Sequence, residues 1–589
     1  MWKTQNAMNE RARRKRIPYG IMDFVSLRED NCYYVDKTRF IEEVEYANRY
    51  FFFIRPRRFG KSLTLSMLRH YYDILDADKF EKWYKGLYIY DHPTTERGAY
   101  LVLHLNFSRI NAELENYRSS LDEHCNTAFN YFCDVYARYL SPGVKEELNR
   151  KDGAVGQLEY LYKECQKVNR PIYLFIDEYD HFTNKILSTP RVIDRYKSET
   201  HGAGYIRLFF DTVKAGTESS IRRCFITGVS PVTMDDVTSG FNIGTNYSLS
   251  PEFSEMTGFT ESEVRAMLDY YAATCKFHHT TDELITLMKP WYDNYCFTRK
   301  PSGRTTMYNS NMVLYFVDSY IRNGGELPDD MLEENIRIDY EKLRMLIRKD
   351  REFAHNASII QTLVEQGYIT GTLKKGFPAE AITDSDNFVS LLYYFGMLTI
   401  NGTVMGQTRL VIPNQTVRDQ LYSYLLDTYK EADLSYELPK QENLASRMAY
   451  LGEWKQYFAY IAECLHRFAA QRDRQKGESF VHGFTLAMTA QNRFYRPVSE
   501  QDTQEGYADL FLLPLKEQFP DMRHCYIIEL KYAKGKDSAA RVKRLRQDAI
   551  AQALRYASSE TVQNAIGHTC LHRIVVVWHG MEMAVCEEC

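Results

Sequence analysis

The chain has 589 residues, a formal charge of -4, 44% apolar residues and 26% charged residues. That length is too great for one hydrophobic core and implies three or four domains, while the balanced charge excludes a general attraction to polyanions, so any nucleic-acid contact must come from a local patch. No run approaches the roughly 18 apolar residues of a membrane helix, and the opening Met-Trp-Lys-Thr-Gln-Asn contains no apolar signal segment, which argues against membrane and secretory roles.

In chain order, Arg11-Ala-Arg-Arg-Lys-Arg16 reads as the end of a solvated basic leader covering residues 1–16. Ile17–Phe24 and Tyr33–Thr38 form a lead-in, and Thr38 is a candidate N-cap for a helix through about Tyr46. Phe51-Phe-Phe-Ile54 reads as a buried strand, followed by a turn with Pro56 and Gly60. Lys61-Ser62 then opens a segment with Leu63, Met67 and Leu68 at helical spacing. Further strands are expected at residues 100–106, at Pro171–Asp180 and at Arg223–Ser230, with a long helical stretch over about 111–170. Strands alternating with helices, with polar residues at the strands' C-terminal ends, predict a parallel α/β sheet over residues 17–255. Arg222 and Arg223, at the start of their strand, should lie at the opposite end of that sheet.

From about residue 256 the pattern turns helical. Thr260 and Glu263 form a capping-box pattern, and Leu391–Ile400 passes from helix to strand before Gly402 and Leu410–Ile412. Residues 256–440 thus suit either a winged-helix-like module or a generic helical region, with a helical connector over 441–475. Residues 476–589 return to an α/β pattern. Cys586-x-x-Cys589 reads as two thiols on a frayed tail, since His568, Cys570 and His572 complete no standard zinc spacing with it. The remaining cysteines are scattered, and Cys133, Cys224 and Cys464 lie in apolar stretches, as buried thiols do in a reducing cytosol. A cytoplasmic location is expected.

Strand, loop, Gly60-Lys61-Ser62 and helix together have the form of a phosphate-binding loop. Lys61 would reach the β- and γ-phosphates, and the Ser62 hydroxyl would hold Mg²⁺. The usual pattern has a glycine where this chain has Arg55. Asp177-Glu178 end the strand Tyr173–Ile176, which suits Asp177 to Mg²⁺ and Glu178 to the attacking water. Thr227 or Ser230, at the end of the next strand, would sense the γ-phosphate. The nucleotide-binding set expected is Arg57, Arg58, Phe59, Gly60, Lys61, Ser62, Leu63, Asp177 and Thr227, with ATP and Mg²⁺ as cofactors.

The runs Ile17-Pro-Tyr-Gly-Ile-Met-Asp-Phe24, Tyr34-Val-Asp-Lys-Thr38 and Arg55-Pro-Arg-Arg-Phe-Gly-Lys-Ser62 closely resemble the AAA-ATPase-like family of bacterial proteins. Phe225–Ser230, Thr257–Glu261, Trp291–Tyr295 and Tyr308-Asn309 look like its later landmarks, so the resemblance covers about the first half of the chain. It implies an AAA-like ATPase in which Arg-Pro-Arg-Arg-Phe-Gly-Lys-Ser is the normal loop, with Arg57 and Arg58 as nucleotide or partner contacts.

A second constellation lies near the C-terminus. Glu529 and Lys531, in Tyr526–Tyr532, share one face of a strand, and Asp509 can join them if its strand pairs as a hairpin. Two carboxylates make an oxygen site suited to Mg²⁺, with Lys531 placed to position water or offset developing charge. Asp…Glu-x-Lys resembles the PD-(D/E)XK nuclease superfamily, and the region from about 476 resembles the nuclease-like domain fused to that ATPase-like family. By that resemblance Glu478 is the upstream helical acid, Gln552 opens the Gln-x-x-x-Tyr element ending at Tyr556, and Ala508 replaces the proline. The catalytic set expected is Glu178, Asp509, Glu529, Lys531 and Gln552; the metal set is Ser62, Asp177, Glu478, Asp509 and Glu529. Lys531, Lys534, Lys536, Arg541, Lys543, Arg544 and Arg546, against Asp537 alone, form a basic strip suited to phosphates.

The function expected is an ATP-binding and hydrolysing protein that gates a Mg²⁺-dependent nuclease acting on nucleic acid, with DNA as the expected substrate. The alternative is an ATP-driven switch whose C-terminal domain binds nucleic acid without cutting it. A nucleotide-dependent homo-oligomer is a further partner the reading allows. A helicase-like motor is weaker because no further motor motif is recognisable.

Overall fold

The computed structural model describes residues 14–110, 117–181, 204–232, 243–300, 305–332, 359–360, 362–363, 366–378, 381–382, 384–431, 434–472, 477–498, 510–516 and 518–589. The chain divides into two compact units, Met1–Lys349 with Thr370–Asn414, and Asp350–Ile369 with Gln415–Cys589.

The first unit is built on a five-stranded sheet in the order β2-β3-β4-β1-β5, comprising β1 (Tyr50–Ile54), β2 (Leu101–Asn106), β3 (Ile172–Asp177), β4 (Ile221–Gly228) and β5 (Thr245–Asn246). All neighbours are parallel. A parallel sheet is covered on both faces, which is why β1 and β3 are near-continuous apolar runs rather than alternating ones. The register pairs Ile54 with Gly228, Ile176 with Ile226 and Asn106 with Asp177, so the loops after β1, β3 and β4 emerge on one edge. The chain leaves β1 for the far edge and later returns to β1's other side at β5. That reversal of strand order marks the crevice where α/β sheets bind ligands.

The predicted 111–170 helical stretch is broken. It contains Tyr117–Val135, Val144–Leu148 and Gly153–Lys167, interrupted at Ser141-Pro-Gly143, where Gly143 has φ +81. Thr38 does not cap its helix, which runs Phe40–Tyr46 after Arg39. Its hydroxyl instead donates to Asp36 Oδ1 at 2.6 Å and accepts from the Ile89 amide. The Thr260–Glu263 capping box is present as expected. Of the basic leader, residues 1–13 lie outside the described residues; Arg14 donates to Cys275 Sγ and the Lys15 amide to the Tyr270 hydroxyl, while Arg16 is exposed. After β6 (Tyr368–Gly371), the helix Ser385–Tyr394 leads into the antiparallel pair β7 (Thr399–Val404) and β8 (Gln407–Val411). This helix and hairpin follow the expected passage from helix to strand, which the winged-helix-like and generic helical readings share.

The second unit holds the mixed sheet β13-β12-β11-β10-β9, from β9 (Tyr495–Val498), β10 (Leu510–Pro514), β11 (His524–Ala533), β12 (Cys570–His579) and β13 (Glu582–Glu588). β11 and β12 are parallel; the other pairs are antiparallel. The period of two gives the sheet two apolar faces. Ile528, Leu530, Ile574 and Val576 pack on one side with residues of the helices Gln415–Glu431, Leu438–Leu451, Trp454–Arg472 and Glu478–Ala490. Ile527, Ala533, Val575 and Val577 pack on the other against the helix Ala539–Ala557. Cys586 lies in edge strand β13, and the Cys589 amide donates to the Arg573 carbonyl, so this segment is paired rather than frayed. No helix among the described residues is long and apolar enough to cross a membrane.

Candidate functional site

At the end of β1 the chain turns through Arg58 (φ +66) and Gly60 (φ +88) into the helix Lys61–Tyr72. The loop is braced by the rest of the unit. The Arg58 carbonyl accepts from the Ser310 hydroxyl and the Asn311 amide, and the Phe59 carbonyl accepts from the Gly258 amide. Phe59 itself is buried edge-on to Tyr295 and Phe297. Only its backbone remains for a nucleotide. Arg57, Arg58, Gly60, Ser62 and Leu63 are partly exposed.

Arg55, in the glycine position, does not reach toward phosphates. It is 1% exposed, with its guanidinium between the Phe53 and Phe297 rings, 4.2 Å from each centroid. It donates to the Ser248 carbonyl at 2.6 Å and the Phe253 carbonyl at 2.9 Å. Burial lowers its pKa to about 10, which leaves it charged at neutral pH. The residue fastens the loop to the segment after β5.

Lys61 Nζ donates to the Arg55 and Pro56 carbonyls at 2.9 Å each. Part of the side chain is exposed, but the ammonium is enclosed by the loop. Desolvation lowers its pKa to about 8 against the opposing pull of Asp177, Asp180 and Glu178. The Ser62 hydroxyl donates to Asp177 Oδ2 at 3.0 Å. Burial raises the Asp177 carboxyl above its ordinary pKa, against the Ser62 hydrogen bond and the Lys61 charge. Glu178 is in the left-handed region at φ +51 and lies 3.5 Å from His181 Nδ1, whose hydrogen bond lowers the Glu178 pKa. Thr227 is fully buried, and its hydroxyl donates to the Phe53 carbonyl at 2.7 Å, so it braces β1 against β4. Arg223 is at the opposite end of the sheet, ion-paired to Glu96.

Sequence reasoning did not single out Asp180 or His181. Asp180 accepts from the Val229 and Ser230 amides and so fixes the end of β4. A Cβ at Gly228 would lie 2.3 Å from Asp180 Oδ1, which leaves only glycine there. Asp180's place in the acid run after β3 was the available signal.

In the second unit, β10 pairs antiparallel with β11, with Leu510 opposite Ile528, as the hairpin expectation required. Asp509 lies outside the described residues. Glu529 is fully buried on β11, and Lys531 Nζ lies 3.3 Å from its Oε2. Both share the face of Ile527 and Ala533, which the helix Ala539–Ala557 covers. Gln552 lies on that helix between Ala549 and Ala553, which pack on that face. Its Oε1 is buried and, among the described residues, has no hydrogen-bond partner. Glu478 opens the helix on the opposite face, exposed, and its charge adds to burial in raising the Tyr532 pKa. The structure thus brings Glu529 and Lys531 together, puts Gln552 over the same face and puts Glu478 beside Tyr532. Lys534, Lys536, Arg541, Lys543 and Arg544 are exposed, while Arg546 pairs with Glu587.

Comparison with known proteins matches both regions. Residues 18–238 match the family model of predicted AAA-ATPases, and residues 476–588 match that of the PD-(D/E)XK nuclease superfamily. A protein of Azotobacter chroococcum mcd 1, described as an uncharacterized protein in the vnfD 5′ region, is 27% identical over 297 residues, 48% of this chain and 49% of its own length. The chain therefore spans about half the length of that relative. Among solved structures, Cdc6p from Pyrobaculum aerophilum is 15% identical, covering 71% of this chain and 96% of its own, with a TM-score of 0.27. The ORC2 protein of Aeropyrum pernix, in ADPNP–ADP complexes, is 11% identical, covering 72% and 96%, with a TM-score of 0.30.

Proposed function

We propose that this chain, which joins a predicted AAA-ATPase domain to a PD-(D/E)XK nuclease-superfamily domain, binds and hydrolyses ATP and thereby gates a Mg²⁺-dependent nuclease acting on DNA. The observation that carries the reading is the buried Glu529 carboxylate 3.3 Å from Lys531, in a chain that also joins Ser62 to Asp177.

The residues present fit nucleotide and metal. Lys61 rests on two loop carbonyls, a weak station that it leaves when phosphate oxygens enter the loop. Ser62 and Asp177 would hold Mg²⁺, and Glu178 would orient water. In the second unit Glu529, with Asp509, would hold Mg²⁺, which when bound polarises the scissile phosphate and lowers the pKa of its water. Lys531 would position that water, and Gln552 would offer its amide to the substrate or to a ligand of the pair.

Contacts within the first unit support gating. A Cβ at Gly396 would lie 2.9 Å from Pro56 Cβ, so the turn before β7 closely approaches the phosphate-binding loop. Phe59 packs on Tyr295 and Phe297, and the neighbouring Cys296 amide donates to Thr399 of β7. From β8 the chain passes directly into the helix Gln415–Glu431, the beginning of the second unit's long segment. A change at the loop thus has a packed route to the chain entering the nuclease-like unit. A nucleotide-dependent self-association belongs to the same proposal.

One observation favours the switch alternative: Glu178 is held by His181. A glutamate kept in that pair turns over ATP slowly while leaving binding intact. Metal-dependent cleavage of plasmid and linear DNA, with RNA as a second substrate and with or without ATP, separates the readings. Cleavage by the wild type and none by Lys531→Ala supports the gated nuclease. Binding without cleavage supports the switch.

A further inference from the structure

On the face of the second sheet opposite Glu529, a different set of donors converges. Cys570 and His572 are two apart on β12 and so share a face. Parallel pairing sets His524 of β11 beside Cys570, and Tyr526 beside His572. The donor atoms of His524, Cys570 and His572 all lie within 4.8 Å of one another. His524 Nδ1 and His572 Nε2 are 2.8 Å apart.

The surroundings orient these groups as those of a metal ligand are oriented. His572 Nδ1 lies 2.7 Å from Glu588 Oε1. A carboxylate accepts, so Nδ1 carries the proton and Nε2 presents its lone pair toward His524. The His572 ring also stacks on Tyr526, with centroids 5.0 Å apart and planes at 17°. Gly452 closes over the other imidazole: a Cβ there would lie 3.0 to 3.3 Å from three atoms of the His524 ring.

We propose that His524, Cys570 and His572 bind a zinc-class divalent ion, with water in the fourth position. Two imidazoles and a thiolate suit Zn²⁺, Co²⁺ or Ni²⁺ rather than the all-oxygen preference of Mg²⁺. The ion takes the place of the proton between the two imidazoles; that proton passes through solvent to His524 Nε2, and the Cys570 thiol proton is released to solvent. Zn–N bonds of about 2.0–2.1 Å need only a small widening of the nitrogen pair. Cys570 is exposed, which leaves an approach from solvent. The site is separate from the Glu529–Lys531 pair, on the other face and about 16 Å along β11 at about 3.3 Å per residue. The ion would clamp the beginnings of β11 and β12.

The test is Co²⁺ titration of chelator-treated full-length protein, followed by absorption. One equivalent should give the visible bands of four-coordinate Co²⁺ with a near-ultraviolet thiolate band, both removed by Zn²⁺. Cys570→Ser should lose the thiolate band, and His524→Gln the four-coordinate spectrum. Glu588→Gln should weaken binding about 10–100-fold. Cys586→Ser and Glu529→Gln should leave the spectrum unchanged. Absence of four-coordinate bands, an unaltered spectrum in Cys570→Ser, or loss in Glu529→Gln would overturn the assignment. Because Cys570 is exposed, its serine variant tests the site without disturbing the core.

Discussion

Ser62 and Asp177 are 115 residues apart in sequence and joined by a 3.0 Å hydrogen bond from hydroxyl to carboxylate. The contact exists because β3 and β1, separated by β4, end on the same edge of the sheet. Asp177 is 3% exposed. With Ser62→Ala the carboxylate loses the Ser62 hydroxyl as a partner, and a bound Mg²⁺ would lose one ligand. Mg²⁺-dependent ATP binding should fall about 10–100-fold, and Asp177→Asn should cost at least as much. Titrations with and without Mg²⁺ check this: an equal loss without the metal would show that the pair serves the loop's fold instead.

Burial lowers the pKa of the Lys61 ammonium to about 8, and phosphate oxygens beside it would raise it. ATP binding therefore takes up a proton once the pH exceeds that value. The apparent Kd should be flat below about pH 8 and rise by up to about tenfold per unit above it, because one unit of pKa shift corresponds to about 1.4 kcal/mol. Lys61→Arg, charged throughout, should remove the slope even if it weakens binding. A wild-type Kd constant to about pH 9.5 would contradict the assignment.

What the sequence showed of this site depended on range. Gly60-Lys61-Ser62 and Asp177-Glu178 are local patterns, each attached to an apolar strand run, and the parallel sheet follows from those runs. Arg55 was legible as an anomaly but not as a brace, because its acceptors Ser248 and Phe253 come 193 and 198 residues later. The hydroxyl of Thr38 looked free to cap a helix until folding placed Asp36 and Ile89 against it. On β12, Cys570 and His572 lacked a partner in any local spacing, since His524 and His572 meet only through strand pairing across 48 residues.

Restoring the usual glycine at position 55 should harm the protein. Arg55→Gly leaves the Ser248 and Phe253 carbonyls without their donor and opens a space between Phe53 and Phe297. The expected cost is about 2–4 kcal/mol, read as a lower thermal midpoint for the first unit. ATP affinity at low temperature should not improve. A gain in affinity with unchanged melting would show that Arg55 blocks the nucleotide rather than bracing the loop.

Glu529→Gln preserves shape in a fully buried position and removes the charge that would hold the metal. Lys531→Ala removes its 3.3 Å partner. Each should lower DNA cleavage by about 100-fold or more, with ATP binding unchanged. Cleavage by either variant at the wild-type rate would place the reaction elsewhere.

The helix Ala539–Ala557 supplies the cations that would grip a polyanion. Lys543 and Arg544 are exposed on it, whereas Arg546 is already paired with Glu587 of β13 at 2.5 Å. A phosphate contact releases counterions, so each cation that makes one adds to the fall of affinity with salt. Lys543→Ala with Arg544→Ala should reduce the slope of log K against log salt by about 2 and weaken binding alike on unrelated sequences. Arg546→Ala should change that slope less, because its charge is offset within the sheet. Binding isotherms over a range of salt concentrations measure all three. An unchanged slope in the double variant would identify this strip as a solvated helix face and move the DNA path off it.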